Sequence, residues 1–343
     1  MKRSAYWDSL KFILIILVVY AHAISPYRHD SQFNTAIYNF VYLFHMPLFI
    51  FISGRFSQIR NKERYKFRTI KILETYIVFQ ILFTILLMLS GKSLSIASIT
   101  KPFWVFWYLL SLVNWRLMVY YIPRRWIQHR TIVLLISICI SLIVGYMPIG
   151  HHFAIHRTLS FLPFFVMGYY SADIKFHQPI NKIPSYLAVG ILIAFSIVTY
   201  ITPKFGYALI LYNTYTDWYQ SHAYALTTFP IIRCLFICIA IILSIMVLRL
   251  VRPYSHLAKW GERTLFIFVY HTFALKLLFQ LINRNYLPQN ELLFVVYTAI
   301  IIIGLIFLTR YSVLYVMRNP FTHYLTSRAR PPKQQNNSEN LNN

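Results

Sequence analysis

The sequence predicts an all-α, polytopic membrane protein of about ten transmembrane helices, with both termini in the cytoplasm. Three observations predict it. Hydrophobic residues make up 58% of the 343, charged residues only 12%, and mean hydropathy is +0.53. A soluble domain is roughly 25% charged, so this chain lacks the polar residues to coat a water-facing globule of its length. Apolar runs of about twenty residues recur, the length that crosses hydrocarbon about 30 Å thick. Finally, Lys and Arg gather in alternate short loops between those runs, which is how a membrane chain fixes its orientation.

The first run, 10–27, follows Lys2 and Arg3. Ala21-His22-Ala23 resembles a signal-peptide cleavage site, but the run continues into a multispanning chain and reads as a retained helix. The second, 35–55, delivers the chain to Arg55, Arg60, Lys62, Arg64, Lys66, Arg68 and Lys71, read as a cytoplasmic loop over 55–71. The third and fourth, 70–90 and 102–121, enclose an outer connection holding Lys92 and Lys101. Arg124, Arg125 and Arg130 lead into the fifth, 131–148. The sixth, 158–172, is short and carries Pro163 and Gly168; such a helix spans where neighbours satisfy its backbone. Lys175 and Lys182 precede the seventh, 184–202. An outer loop, 203–228, rich in Tyr and Trp, reads as an interfacial aromatic belt or as a stacking surface for sugar rings. The eighth, ninth and tenth runs are 229–250, 262–282 and 291–316. With the N-terminus inside, most of the 33 Lys and Arg fall inside through all ten crossings. Residues 1–326 form the transmembrane domain, and 327–343, polar with Pro331 and Pro332, a disordered cytoplasmic tail.

The net charge of +24 is accounted for by this placement, which excludes nucleic acid as a partner and makes the lipid bilayer one. Cys139, Cys234 and Cys238 lie within apolar runs with no ligand spacing, and read as reduced packing residues rather than a disulfide or metal site. His151, His152 and His156 lack a carboxylate or cysteine companion, so no metal is expected there either.

Ionisable side chains at membrane depth are costly and are candidate functional groups. His22, His45 and His271 are each flanked by apolar residues. His22 follows Lys11 by eleven positions, which on a helix puts both side chains on one face, about 20° apart and roughly 16 Å along the axis. Asp8 lies one turn before Lys11 and can pair with it. A neutral imidazole shielded from water can take the proton of an alcohol. Met46-Pro47 predicts a kink after His45. Arg157 precedes the sixth run on the outer side and suits an anionic or hydroxyl-rich ligand. Trp107, Tyr108, Asn114 and Trp115 line a path or pack the core.

The stretch Trp7-Asp8-Ser9-Leu10-Lys11, continuing to Tyr20-Ala21-His22, resembles the first helix of the acyltransferase 3 family. Phe44-His45-Met46-Pro47-Leu48-Phe49, through Ser53-Gly54, resembles its second-helix signature. Phe161-Leu162-Pro163-Phe164 through Tyr169, and Gly261-Glu262-Arg263-Thr264 through Tyr270-His271, agree in order. The likeness covers about residues 5–320 and is greatest to the branch containing fucose 4-O-acetylases. The resemblance implies transfer of an acyl group, acetyl in that branch's chemistry, from cytoplasmic acyl-CoA to a hydroxyl of a cell-surface polysaccharide or lipid-linked sugar.

Under that resemblance His22 is the catalytic base. Asp8, Lys11, Arg68 and Lys71 bind or support acyl-CoA, and His45, Arg157 and His271 are substrate-binding candidates. Acetyl-CoA is a donor substrate, with no permanently bound cofactor, and glycan-assembly proteins are further partners in a bacterial cytoplasmic membrane. Many members carry Arg where this chain has Lys11, and the family's Arg-x-x-Arg is here Arg68-x-x-Lys71; each Lys keeps the charge but loses the bidentate fork. A polysaccharide exporter without acyl-transfer chemistry is the competing expectation. Relatives carry an appended esterase-like domain that this sequence lacks.

Overall fold

The computed structural model describes residues 4–29, 31–91, 100–147, 149–150, 152–174, 177–207, 210–216 and 226–281, with 299–300, 302–304 and 307. The rest of the tenth predicted run, the 327–343 tail, Lys92, His151, Lys175 and all of 217–225 lie outside the described residues. Among the described residues every regular element is a helix. The principal ones are α1 (Ala5–Ile24), α2 (Gln32–Arg55), α3 (Lys62–Leu89), α4 (Trp107–Tyr121), α5 (Arg130–Ile143), α6 (Ile155–Ser160), α7 (Leu162–Ser171), α8 (Ser185–Ile201), α9 (Phe229–Leu250), α10 (Ser255–Gly261) and α11 (Thr264–Leu281). Four are long and apolar enough to cross a membrane: α1 extended through Tyr27, α2, α3 and α9.

The surface inverts the soluble pattern. On α3, Ile77, Val78, Ile81, Leu82 and Ile85 face outward, while Thr69 and Gln80 are buried. His22, His45, His271 and Arg233 are all buried. Polar groups inside and apolar groups outside suit a hydrocarbon solvent. The three cysteines follow the outer face: each is exposed, not packed in the core as expected from sequence.

Helix boundaries differ from the apolar runs where polar residues decide them. Asn61 caps α3, its side chain accepting from the Arg64 N–H at 2.8 Å. The helix therefore starts at Lys62, and most of the basic stretch lies on its first turns rather than in a loop. The sixth run divides at Phe161 into α6 and α7, with Pro163 in the first turn of α7. α2 runs unbroken through Pro47, which lines an apolar groove on the far side of the helix from the cavity that His45 and Met46 line.

Close helix approach rests on small residues. Gly54 of α2 sits against the Phe165 carbonyl of α7, and Gly168 of α7 against the Phe51 carbonyl of α2, leaving no room for a Cβ at either. Gly261 ends α10 against the Asp8 carbonyl of α1. Ser9 ties the same junction, its hydroxyl donating to the Tyr254 carbonyl at 3.0 Å. Arg55 and Gln58 donate to the carbonyls of Ser171 and Tyr169, the latter at 2.5 Å, satisfying the open end of α7.

Candidate active site

α1 connects two cavities. Its His22 end opens on a cavity of about 370 Å³, and its Asp8–Lys11 end on one of about 440 Å³.

In the first cavity His22 meets His271 of α11. Their rings are nearly parallel, 16° apart, with centroids at 5.3 Å. His22 Nδ1 lies 3.2 Å from His271 Nε2, and His271 Nδ1 lies 3.1 Å from the Ile267 carbonyl. A carbonyl only accepts, so His271 carries its proton on Nδ1 and offers a lone pair at Nε2. His22 must then donate from Nδ1, which leaves its Nε2 unprotonated on a ring that lines the cavity. His45 is held in the same way, Nδ1 donating to the Val41 carbonyl at 2.7 Å, and it lines the cavity too. The Trp104 ring packs edge-on to His22 at 5.1 Å.

Arg157 enters this cavity from α6. Its guanidinium lies over the rings of Trp107 and Tyr212, at 5.4 and 5.5 Å. Two bonds fix the segment that bears it: Ser111 and Thr158 share a hydroxyl contact of 2.7 Å, and Trp115 Nε1 donates to the Thr158 carbonyl at 2.8 Å. Trp107 thus lines the site, whereas Trp115 stacks on Phe165 in the core and Asn114 faces a separate outer groove. In the connection to α9, burial raises the pKa of the Tyr212 phenol and Arg157 lowers it in part, so Tyr212 keeps its proton. In the sequence Tyr212 is one of several aromatic residues of the 203–228 loop, with nothing local to single it out.

The second cavity is lined by six cationic side chains, Lys11, Arg55, Arg60, Arg64, Arg68 and Arg116, against one carboxylate, Asp8. Lys11 pairs with Asp8 at 2.5 Å, as the spacing predicts. Arg116 is oriented by the Thr69 hydroxyl at 2.8 Å and the Tyr65 carbonyl at 3.1 Å. Lys71 does not join the lining; its ammonium lies over Phe67 at 5.2 Å. Arg55 belongs to the basic stretch 55–71, whose charge suits coenzyme A phosphates as well as membrane orientation, whereas the sequence marks Arg116 only as inside charge. Arg116 had a signal, a cation inside the fourth apolar run.

Of the outer histidines, His152 pairs with the Thr100 hydroxyl at 2.6 Å and His156 lines the first cavity. Among the described residues no cluster of three His, Cys, Asp or Glu is placed to hold a metal.

Residues 4–311 match the family model Acyl_transf_3, an acyltransferase domain. No curated protein and no solved structure matches the chain.

Proposed function

The chain belongs to the acyltransferase 3 family and is a membrane acyltransferase, and we propose that it moves an acetyl group from cytoplasmic acetyl-CoA to a hydroxyl of a cell-surface polysaccharide or lipid-linked sugar. The observation that carries this reading is the placement of a cationic cavity and a histidine cavity on the same helix. Coenzyme A brings several phosphate charges, and the Arg side chains at the Lys11 end match phosphate geometry bidentately. The donor enters there, with Asp8 holding Lys11 in place. The acceptor enters the other cavity, where His22 Nε2 is the available base.

Transfer is direct, from thioester to hydroxyl. His22 Nε2 takes the proton of the acceptor hydroxyl as its oxygen attacks the thioester carbonyl. The carbon–sulfur bond breaks, and the departing thiolate receives that proton. His271 accepts from His22 Nδ1 throughout and holds the ring in the working tautomer, a positioning role. His45 lies beside the acceptor. We place about ten crossings around these cavities, with both termini cytoplasmic, in the fucose 4-O-acetylase branch, served by glycan-assembly proteins.

The test uses purified protein in detergent, radiolabelled acetyl-CoA and envelope glycan. Label transfer is expected, and His22→Ala should lower it by about 10²–10⁴-fold, the usual worth of a general base. An exporter without chemistry gives no transfer in detergent, where no compartment exists; that result, or a fully active His22→Ala, overturns the proposal.

A further inference from the structure

Resting on the proposed acyl transfer, we infer that the acceptor is anionic: a sugar unit bearing an oxyanion, which Arg157 holds in the histidine cavity.

The argument begins with what Arg157 lacks. Trp107 and Tyr212 cover its guanidinium, so its remaining capacity lies in its own plane, in the N–H fork. Its Nε is buried and has no hydrogen-bond partner among the described residues, and the Tyr212 hydroxyl of the same cavity is in the same condition. Buried donors are almost always satisfied. Two unsatisfied donors on side chains that line one cavity point to a group from outside the chain that accepts from both.

Arg233 supplies the contrast within the molecule. It is fully buried nearby, yet its guanidinium donates to the carbonyls of Ile210, Asn213 and Ser141 at 2.7–3.2 Å. Arg233 is thus saturated by the chain itself. Arg157 is left open.

Charge says what kind of group is received. Among the described residues no carboxylate lines the cavity, whereas Lys101 does, alongside Arg157. A neutral sugar would satisfy hydrogen bonds but leave a partly buried cation uncompensated; an oxyanion does both. The backbone is also strained around this spot. Trp104, Phe153 and Ala154 have φ of 42°, 50° and 56°, and Trp104 and Ala154 line the cavity. Such conformations cost about 1–3 kcal/mol each and cluster at ligand sites. Here they set Trp104 against His22 and begin the helix that carries Arg157.

A ring carboxylate and a phosphate share this chemistry. Membranes holding the protein and its endogenous glycan are given radiolabelled acetyl-CoA, and the glycan is cut to oligosaccharides with esters intact. Anion exchange then separates charged from neutral fragments. Label is expected in the retained fraction. Carbodiimide coupling to ethanolamine releases it if the anion is a carboxylate and leaves it retained if it is a phosphate. Arg157→Gln should lower transfer to that fraction by about tenfold or more, the worth of a charged hydrogen bond, with KM for acetyl-CoA within about twofold as the sign of an intact fold. Arg157→Lys should recover part of the loss, which a merely structural role would not produce. Label in neutral fragments, or a Gln variant as active as wild type, overturns the inference and leaves the acyltransferase reading standing. Absence of label from every glycan overturns both.

Discussion

Replacing His271 with Phe tests the tautomer argument directly. Phe keeps the ring volume between α1 and α11 but removes the acceptor for His22 Nδ1, which is buried and 3.2 Å from His271 Nε2. An unsatisfied buried donor costs about 1–3 kcal/mol. His22 recovers that cost by rotating or by moving its proton to Nε2, and either change removes the base from the acceptor. At 1.36 kcal/mol per tenfold, the penalty corresponds to a fall in kcat of about 5–150-fold. The assay is label transfer from acetyl-CoA at saturating donor and acceptor. The stronger part is the double variant: if His271 acts only through His22, then His271→Phe adds nothing once His22→Ala is in place. Wild-type kcat in His271→Phe, or fully multiplicative losses in the double variant, would refute the positioning role.

Other outcomes follow from the packing and the cationic cavity. Arg68→Gln should raise KM for acetyl-CoA by about fivefold or more, whereas Lys71→Gln, whose side chain stands outside the lining, should leave it within about twofold; initial-rate kinetics separate them. Gly168→Ala should destabilise the protein by more than about 1–3 kcal/mol, because its Cβ meets the Phe51 backbone, while Gly190→Ala on α8, with open space around it, should not; thermal melting in detergent decides. Arg233→Leu should cost about 3 kcal/mol or more by leaving the carbonyls of Ile210, Asn213 and Ser141 unpaired, and should lower both melting temperature and transfer through displacement of Tyr212.

The apolar runs made the helix centres legible because hydrocarbon selects for composition. The eighth run coincides with α9, and the seventh and ninth differ from α8 and α11 by one or two residues. Hydropathy stops at the membrane boundary, however, and a helix need not. Lys, Arg and Glu are good helix formers, so α3 extends from Asn61 well beyond its apolar run. α10 is not legible in the sequence because its seven mixed residues carry no periodicity. For the site, depth in an apolar run marked His22, His45 and His271 individually. Their arrangement is not local: the two residues of the dyad are 249 positions apart. Arg68 and Lys71 differ because three residues turn a helix by about 60° from full register, enough to take one out of the cavity.

The two cavities raise a geometric demand that neither meets alone. Acyl transfer needs the hydroxyl and the thioester carbon about 3–3.5 Å apart, yet Leu14, Ile15 and Val18 between Lys11 and His22 are almost wholly buried. Beside them runs a seam of contacts. Phe268, which lines the histidine cavity, packs on Tyr108 at 5.3 Å. The Tyr108 hydroxyl meets Ser53 Oγ at 2.6 Å, Ser57 donates to the Ser53 carbonyl at 2.7 Å, and Arg116 of the cationic cavity reaches Ser57 at 3.4 Å. A slender thioester arm that follows this seam passes the small hydroxyl side chains of Ser53 and Ser57. Ser53→Phe should therefore block it: transfer should fall by about 100-fold or more, as misplaced reactants do, while acetyl-CoA still protects the protein against heat. Equal transfer by Ser53→Phe and wild type would show that the acyl group reaches His22 by another route.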